Sequence, residues 1–135
     1  MKTDQHREVY RRVIDAISRG DADAVDGLVA ANLVDHNPMP GQAPGLQGFK
    51  DWMGAVRASF PDLTGSIEDL VAEGDRVAGR VSWRGTHHGP FAGHAATGRP
   101  VSFTAIHIVR LADGRIAEWW GAANVLDAIE QIRRP

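Results

Sequence analysis

The chain of 135 residues contains no cysteine, which excludes disulfides, thiolate nucleophiles and cysteine-ligated metals. It lacks an apolar run near the roughly 20 residues that span a bilayer, and its polar start does not resemble a signal peptide. Its 15 basic and 17 acidic side chains are scattered, so no basic face for nucleic acid is indicated. These absences predict a cytoplasmic protein with neither membrane nor nucleic-acid partners.

Motifs for several catalytic mechanisms are missing as well. None of the five serines lies in a G-x-S-x-G motif, and the glycines do not form a phosphate-binding loop. The six histidines form no H-E-x-x-H or H-x-H pattern, so no metal site is expected. His87 and His88 lie in a segment rich in Gly and Pro and are interpreted as exposed turn residues. General acid-base catalysis in an apolar pocket remains open.

The length suits one hydrophobic core, so residues 1–135 are predicted to form a single domain. Apolar spacing of three and four predicts helices, the first capped by Thr3 or Asp4 and closed by Gly20. A change to alternating patterns predicts strands. The predicted helices lie after Asp21, at Leu46–Phe60 and at Val125–Ile132, and the predicted extended segments are Leu33–His36, Ile67–Glu73, Arg76–Arg84, Val101–Leu111 and Arg115–Asn124.

Helices followed by hairpin-linked strands are typical of an α+β domain in which a curved antiparallel sheet wraps around N-terminal helices. Such a sheet encloses a pocket, the usual place for small-molecule chemistry. The order of elements supports the architecture and does not by itself identify a function.

Strand alternation predicts which side chains share a face of the sheet. On the strand from Val101 to Leu111, it groups Phe103, Ala105, His107 and Val109. On the last strand it groups Ile116, Glu118, Trp120, Ala122 and Asn124. His107 is therefore a candidate base among apolar neighbours, the alternative being a half-buried histidine bonded to a backbone carbonyl. An inward Glu118 would need a partner such as Arg80 or Arg110.

Seven segments occur in the order and spacing of a known family. They are Val34–Pro38, Ser59–Asp62, Ala72–Val77, Arg84–His87, Ala96–Arg99, Ile106–Arg110 and Asp113–Trp120. In these segments the chain resembles the SnoaL-like polyketide cyclases of the NTF2-like, cystatin-like superfamily, and the similarity runs from about Tyr10 to Ile132.

The resemblance implies a cone-shaped α+β barrel with a deep apolar cavity, usually a homo-oligomer (dimer or tetramer), with no metal or cofactor. It also implies a hydrophobic small-molecule substrate whose ring closes by intramolecular aldol condensation. His107 matches a histidine that helps bind the substrate and its developing enolate. His36 and Trp120 match pocket-lining positions, and Phe103 and Glu118 are further candidates for substrate binding.

The family's catalytic carboxylate is not matched, because Asn124 stands where its cyclases carry Asp. An amide cannot take up a proton at neutral pH, although it can stabilise an enolate by donating a hydrogen bond. The first hypothesis is therefore an acid-base enzyme in which His107 moves the proton and Asn124 holds the oxygen.

Two alternatives stay open from the sequence. A non-catalytic small-molecule-binding protein would keep the cavity after loss of the proton-transfer group. A hydrolase or isomerase of the same superfamily would need Asp35, Arg80, Arg110 and Glu118 to converge.

Overall fold

A computed structural model describes residues 2–134 of the chain. The elements, in chain order, are α1 (Lys2–Arg19), a 3-10 helix (Ala22–Val25), β1 (Val29–Asp35), α2 (Gly45–Ser59), β2 (Thr64–Glu73), β3 (Arg76–Thr86), β4 (Pro100–Ala112), β5 (Arg115–Ala123) and α3 (Val125–Arg133). They form the α+β, NTF2-like fold that was predicted.

The first helix buries one face against the sheet and begins earlier than predicted. Because α1 starts at Lys2, Thr3 and Asp4 lie inside its first turn and do not precede it as caps. Asp4 lies in the first turn, where its negative charge interacts favourably with the positive end of the helix dipole. Gly20 ends the helix as expected, since its φ of 67° is unfavourable for other residues. The buried side chains of α1 are His6, Tyr10, Val13, Ile14, Ala16 and Ile17.

The five strands form one sheet in the order β1-β5-β4-β3-β2. β2, β3, β4 and β5 pair antiparallel, as the hairpin signals predicted. The extended segment expected at Leu33–His36 is a longer strand, and it pairs parallel with β5 at one edge of the sheet. The direction of pairing was not predicted, because alternation in one strand carries no information about its neighbour.

A bulge in β5 changes which tryptophan faces the core. Leu111 pairs with Ile116, whereas the preceding Arg110 pairs with Glu118, so Ala117 is an extra residue in the ladder. Beyond the bulge the alternation is reversed. Trp119 is therefore buried. The predicted grouping of Glu118, Trp120, Ala122 and Asn124 with the buried Ile116 is wrong.

The start of β4 extends beyond the end of β5, and α3 covers the edge of β4 that β5 leaves unpaired. The Gln131 side chain accepts a hydrogen bond from the Ser102 amide (2.8 Å) and donates one to the Ser102 carbonyl (2.6 Å). It thus replaces the missing strand partner. Within residues 2–134, every helix is too short or too polar for a membrane span.

Candidate active site

His107 lies on the buried face of β4, between two glycines on the neighbouring strands. It pairs with Gly79 of β3 on one side and with Gly121 of β5 on the other. Directly paired residues share a face of the sheet, so neither neighbour places a side chain beside the imidazole. His107 is 7% exposed, and the predicted inward face of β4 is confirmed by alternating burial along the strand.

Aromatic side chains pack against one side of the His107 imidazole. The Tyr10 hydroxyl lies 2.7 Å from His107 Nδ1, and the Trp119 ring centre lies 4.7 Å from that of the imidazole. Gly79 makes this arrangement possible, since a Cβ there would come within 2.5 Å of the Tyr10 ring and hydroxyl. Three secondary-structure elements, α1, β4 and β5, therefore meet at the imidazole.

Burial controls the charge of the two polar groups. Removal from water disfavours the imidazolium, and this lowers the pKa of His107 to about 4. The same effect raises the pKa of the Tyr10 phenol. At neutral pH, His107 and Tyr10 therefore form an uncharged pair.

The buried polar residues of the described chain include no carboxylate. The buried polar or charged residues among 2–134 are His6, Ser59, His87 and His107. The described part of the chain thus supplies no enclosed acid to hold a protonated His107.

Small residues lie on the other side of the His107 imidazole. After Trp119, the inward positions of β5 are Gly121 and Ala123, which pair with His107 and Ala105. Gly121 is half-buried and Ala123 is exposed, although both share the face of buried Ala105. A Cβ on Gly121 would lie 3.1 Å from His107 Cδ2. Gly121 therefore places no side chain over the Cδ2 edge of the imidazole.

Phe103 lies two positions beyond Ala105 on the same face of β4 and is half-buried. Its ring centre is 6.3 Å from that of Phe60. Phe103 therefore adds an aromatic ring to the face of β4 that carries His107.

Three other predicted site residues form a separate group, which we call the outer cluster: His36, Glu118 and Trp120. The His36 ring stacks on Trp120 with centres 4.4 Å apart, and its Nε2 lies 3.0 Å from Glu118 Oε1. Trp120 pairs across the sheet with the exposed Ile108, on the face opposite to His107.

The charge of the outer cluster is balanced by arginines. Arg110 forms a salt bridge with Glu118, and Arg76 lies 5.0 Å above the Trp120 ring. Arg110, and to a smaller extent His36, lower the pKa of the Glu118 carboxyl. Arg110 was one of two partners considered for an inward Glu118. The pair exists, but Glu118 does not face His107.

Asn124 lies at the start of α3 and is exposed. Its side-chain oxygen accepts a hydrogen bond from the Asp127 amide (3.2 Å), which makes it the helix cap. Its NH₂ group has no protein partner among the described residues. Along β5 it comes three residues after Gly121, the residue directly opposite His107.

His87 is fully buried, so the prediction of an exposed turn residue is wrong for it, while His88 is exposed as expected. The hydrogen bonds between the His87 and Arg99 backbones and between the Gly98 and His87 backbones extend the β3–β4 ladder beyond its assigned ends. His87 Nδ1 accepts from the Thr97 amide, and its Nε2 has no partner. Ladder pairing, which residue composition does not reveal, turns this side chain inward.

The residues required for the hydrolase or isomerase alternative do not converge. Arg80 pairs with Asp69 on β2, whereas Asp35 accepts hydrogen bonds from Asn37 and Gln42. An open groove of about 570 Å³ is lined by other residues, including Asp62, Arg84 and Gln131. Within 2–134, no group of three or more His, Asp or Glu side chains has the arrangement of a metal site.

Sequence reasoning missed Tyr10, Gly79 and Gly121 as parts of the site. Tyr10, the single tyrosine of the chain, has the spacing of an apolar helix face, and that pattern by itself gives no sign of a role in a site. Glycine is unfavourable inside a strand, and it often marks a close approach by another group. That signal was present at both Gly79 and Gly121.

The family model for SnoaL-like polyketide cyclases matches residues 7–132. The chain belongs to this family. Among curated relatives, it is 25% identical to the aklanonic acid methyl ester cyclase DnrD of Streptomyces peucetius over 135 residues, covering 95% of this chain and 90% of the relative. It is also 25% identical to the cyclase DauD of Streptomyces sp. (strain C5), covering 95% of this chain and 81% of that protein.

Solved structures agree with this assignment. IdmH of Streptomyces antibioticus, a candidate polyketide cyclase, is 33% identical with a TM-score of 0.83, covering 95% of this chain and 98% of IdmH. TsrD of Streptomyces laurentii is 26% identical with a TM-score of 0.88, covering 96% of this chain and 95% of TsrD.

Proposed function

We propose that this SnoaL-like protein closes a ring in a hydrophobic, carbonyl-bearing small molecule by intramolecular aldol condensation or a related enolisation, without metal or cofactor. The observation that carries the proposal is the buried, uncharged His107, which has aromatic neighbours on one side and faces a glycine, Gly121, on the other. A polar group in an apolar slot can act on a carbonyl oxygen more strongly than it could in water.

In this proposal, His107 is the catalytic group and Phe103 contacts the apolar part of the substrate. Asn124 lies opposite the exposed Thr104, in alternation with Gly121 and Ala123, and its side chain caps α3. We therefore assign Asn124 a structural role and no contact with the substrate at His107. His36, Glu118 and Trp120 contact one another on the opposite face of the sheet, so we assign the outer cluster a structural role.

The test is turnover of a polyketide ester by the purified protein. Aklanonic acid methyl ester is the first compound to try, because two relatives are named as its cyclases. We expect the cyclised isomer to form, and His107→Ala to abolish its formation. His88→Ala is the matched control, since His88 is an exposed histidine outside the site. Equal turnover by wild type and His107→Ala would refute the assignment of His107.

The second candidate is a non-catalytic protein that binds the same kind of molecule. It is favoured by the absence of a carboxylate from the buried set among residues 2–134 and by the amide at Asn124. Mass spectrometry of the native protein would detect a co-purified apolar ligand. Such a ligand, without turnover of enolisable ketones and esters, would support this candidate over the enzyme.

We also propose that the protein is a cytoplasmic homo-oligomer, either a dimer or a tetramer. Support comes from the family resemblance and from Ile106 and Ile108, which are 52% and 43% exposed on the outer face of β4. Light scattering after size-exclusion chromatography would measure the mass, and a monomer at micromolar concentration would contradict the proposal.

A further inference from the structure

The hydroxyl of Tyr10 and the Nδ1 atom of His107 have only each other as partners among the described residues. The two atoms are 2.7 Å apart, Tyr10 is completely buried and His107 is nearly so. An uncharged pair of this kind shares two hydrogens, one on the phenol and one on the imidazole. Where those hydrogens lie determines what the imidazole can do.

Two arrangements of these hydrogens are possible. In the first, the Tyr10 hydroxyl donates to Nδ1 and the imidazole hydrogen is on Nε2, so that every buried donor of the pair has an acceptor. In the second arrangement, Nδ1–H donates to the Tyr10 oxygen. The phenolic hydrogen then has no acceptor among residues 2–134, and an unpaired buried donor costs about 1–3 kcal/mol.

The Nε2 atom, in contrast, is not enclosed. Among residues 2–134, one side-chain nitrogen, His87 Nε2, is both fully buried and without a hydrogen-bond partner. His107 Nε2 also has no protein partner, but it is not fully buried. The 7% exposure of His107 and the missing side chain at Gly121 are consistent with access from this side. An N–H at Nε2 can therefore bond to water or to a ligand.

We infer that Tyr10 is a positioning residue that holds His107 in its Nε2–H form, with this N–H available to donate to a carbonyl or enolate oxygen. The inference rests on the proposed function for the identity of the oxygen, but the tautomer itself does not depend on it. This role differs from the base expected from the sequence, because an imidazole in this form donates a hydrogen bond and does not remove a proton through Nε2. The α-proton of the proposed enolisation therefore passes to a water molecule, and water returns a proton to the alkoxide that the ring closure forms.

The tautomer is tested without a substrate. Two-bond ¹H–¹⁵N correlation of the ¹⁵N-labelled protein at pH 7 distinguishes a protonated from an unprotonated ring nitrogen. We expect His107 Nε2 to be protonated and Nδ1 to be unprotonated and hydrogen-bonded. A protonated Nδ1 would overturn the inference, whether or not the protein is a cyclase.

Tyr10→Phe removes the hydroxyl and keeps the ring that packs over Gly79. We expect the Nδ1 signal to move to that of an unbonded, unprotonated nitrogen. Ser59→Ala, which removes another buried hydroxyl, is the control and should leave the His107 signals unchanged. An unchanged Nδ1 signal in Tyr10→Phe would overturn the positioning role.

With aklanonic acid methyl ester as the probe, we expect Tyr10→Phe to lower kcat about five- to tenfold, the usual effect of one hydrogen bond, and to change KM less than twofold. Wild-type kcat in Tyr10→Phe would contradict the role of Tyr10 in catalysis. No turnover by the wild type would contradict the proposed function, while the measured tautomer would still stand or fall by itself.

Discussion

Burial of His107 makes the stability of the fold depend on pH in a defined window. The unfolded chain takes up a proton at this residue near pH 6.5, whereas in the folded protein its pKa is lowered to about 4. Between these values the unfolded state binds more protons, so the free energy of unfolding falls as the pH falls. At roughly 1.4 kcal/mol per pH unit, the whole effect is about 3 kcal/mol, of which ~2 kcal/mol is lost by pH 5.

The assay is urea denaturation of wild type and His107→Gln at pH 7, 6 and 5. Glutamine can accept the Tyr10 hydroxyl bond but does not titrate, so its unfolding free energy should lack this component. Glu118 and Asp62 do not interfere, because their lowered pKa values affect stability only below about pH 4.5. The exposed His88→Gln is the control and should keep the wild-type slope.

Parallel pH slopes for wild type and His107→Gln would refute the reasoning. So would an NMR titration in which His107 of the folded protein is half-protonated near pH 6.5, because the imidazole would then be hydrated and not buried.

Three further substitutions test the surroundings of the site. Gly79→Ala should lower the free energy of unfolding by about 1–3 kcal/mol because its Cβ overlaps Tyr10; an unchanged urea midpoint would show that the ring has room. Asn124→Ala should cost about 1 kcal/mol through loss of the α3 cap, whereas Asn124→Asp should not, since Asp also caps; equal losses in thermal melts would contradict this. Glu118→Gln should leave turnover intact, because Glu118 lies on the face opposite to His107; loss of turnover would show that the outer cluster takes part in the reaction.

The secondary structure was largely predictable because it depends on local periodicity. The third helix, predicted at Leu46–Phe60, is Gly45–Ser59 in the structure. The Asp113-Gly114 pair between the last two predicted strands is a local hairpin signal, and both residues have the positive φ values, 52° and 76°, that such a turn requires. These features involve residues that are close together in the chain.

The bulge at Ala117 shows where local reasoning stops. Alternation assigns faces correctly only while a strand stays in register, and an extra residue reverses every assignment that follows it. Nothing in the run from Ile116 to Trp120 marks the bulge, because it exists only as an unequal pairing between β4 and β5. The choice between Trp119 and Trp120 was therefore not available from the sequence.

For the candidate site, the sequence alone determined the inward face of β4, the position of His107 on it and the family to which the chain belongs. The tertiary structure alone decided what surrounds the imidazole. Tyr10 is 97 residues away in the chain, and Gly79 and Gly121 become its neighbours only through sheet register. Periodicity describes one element at a time, whereas the charge and hydrogen bonding of a buried histidine depend on side chains from other elements.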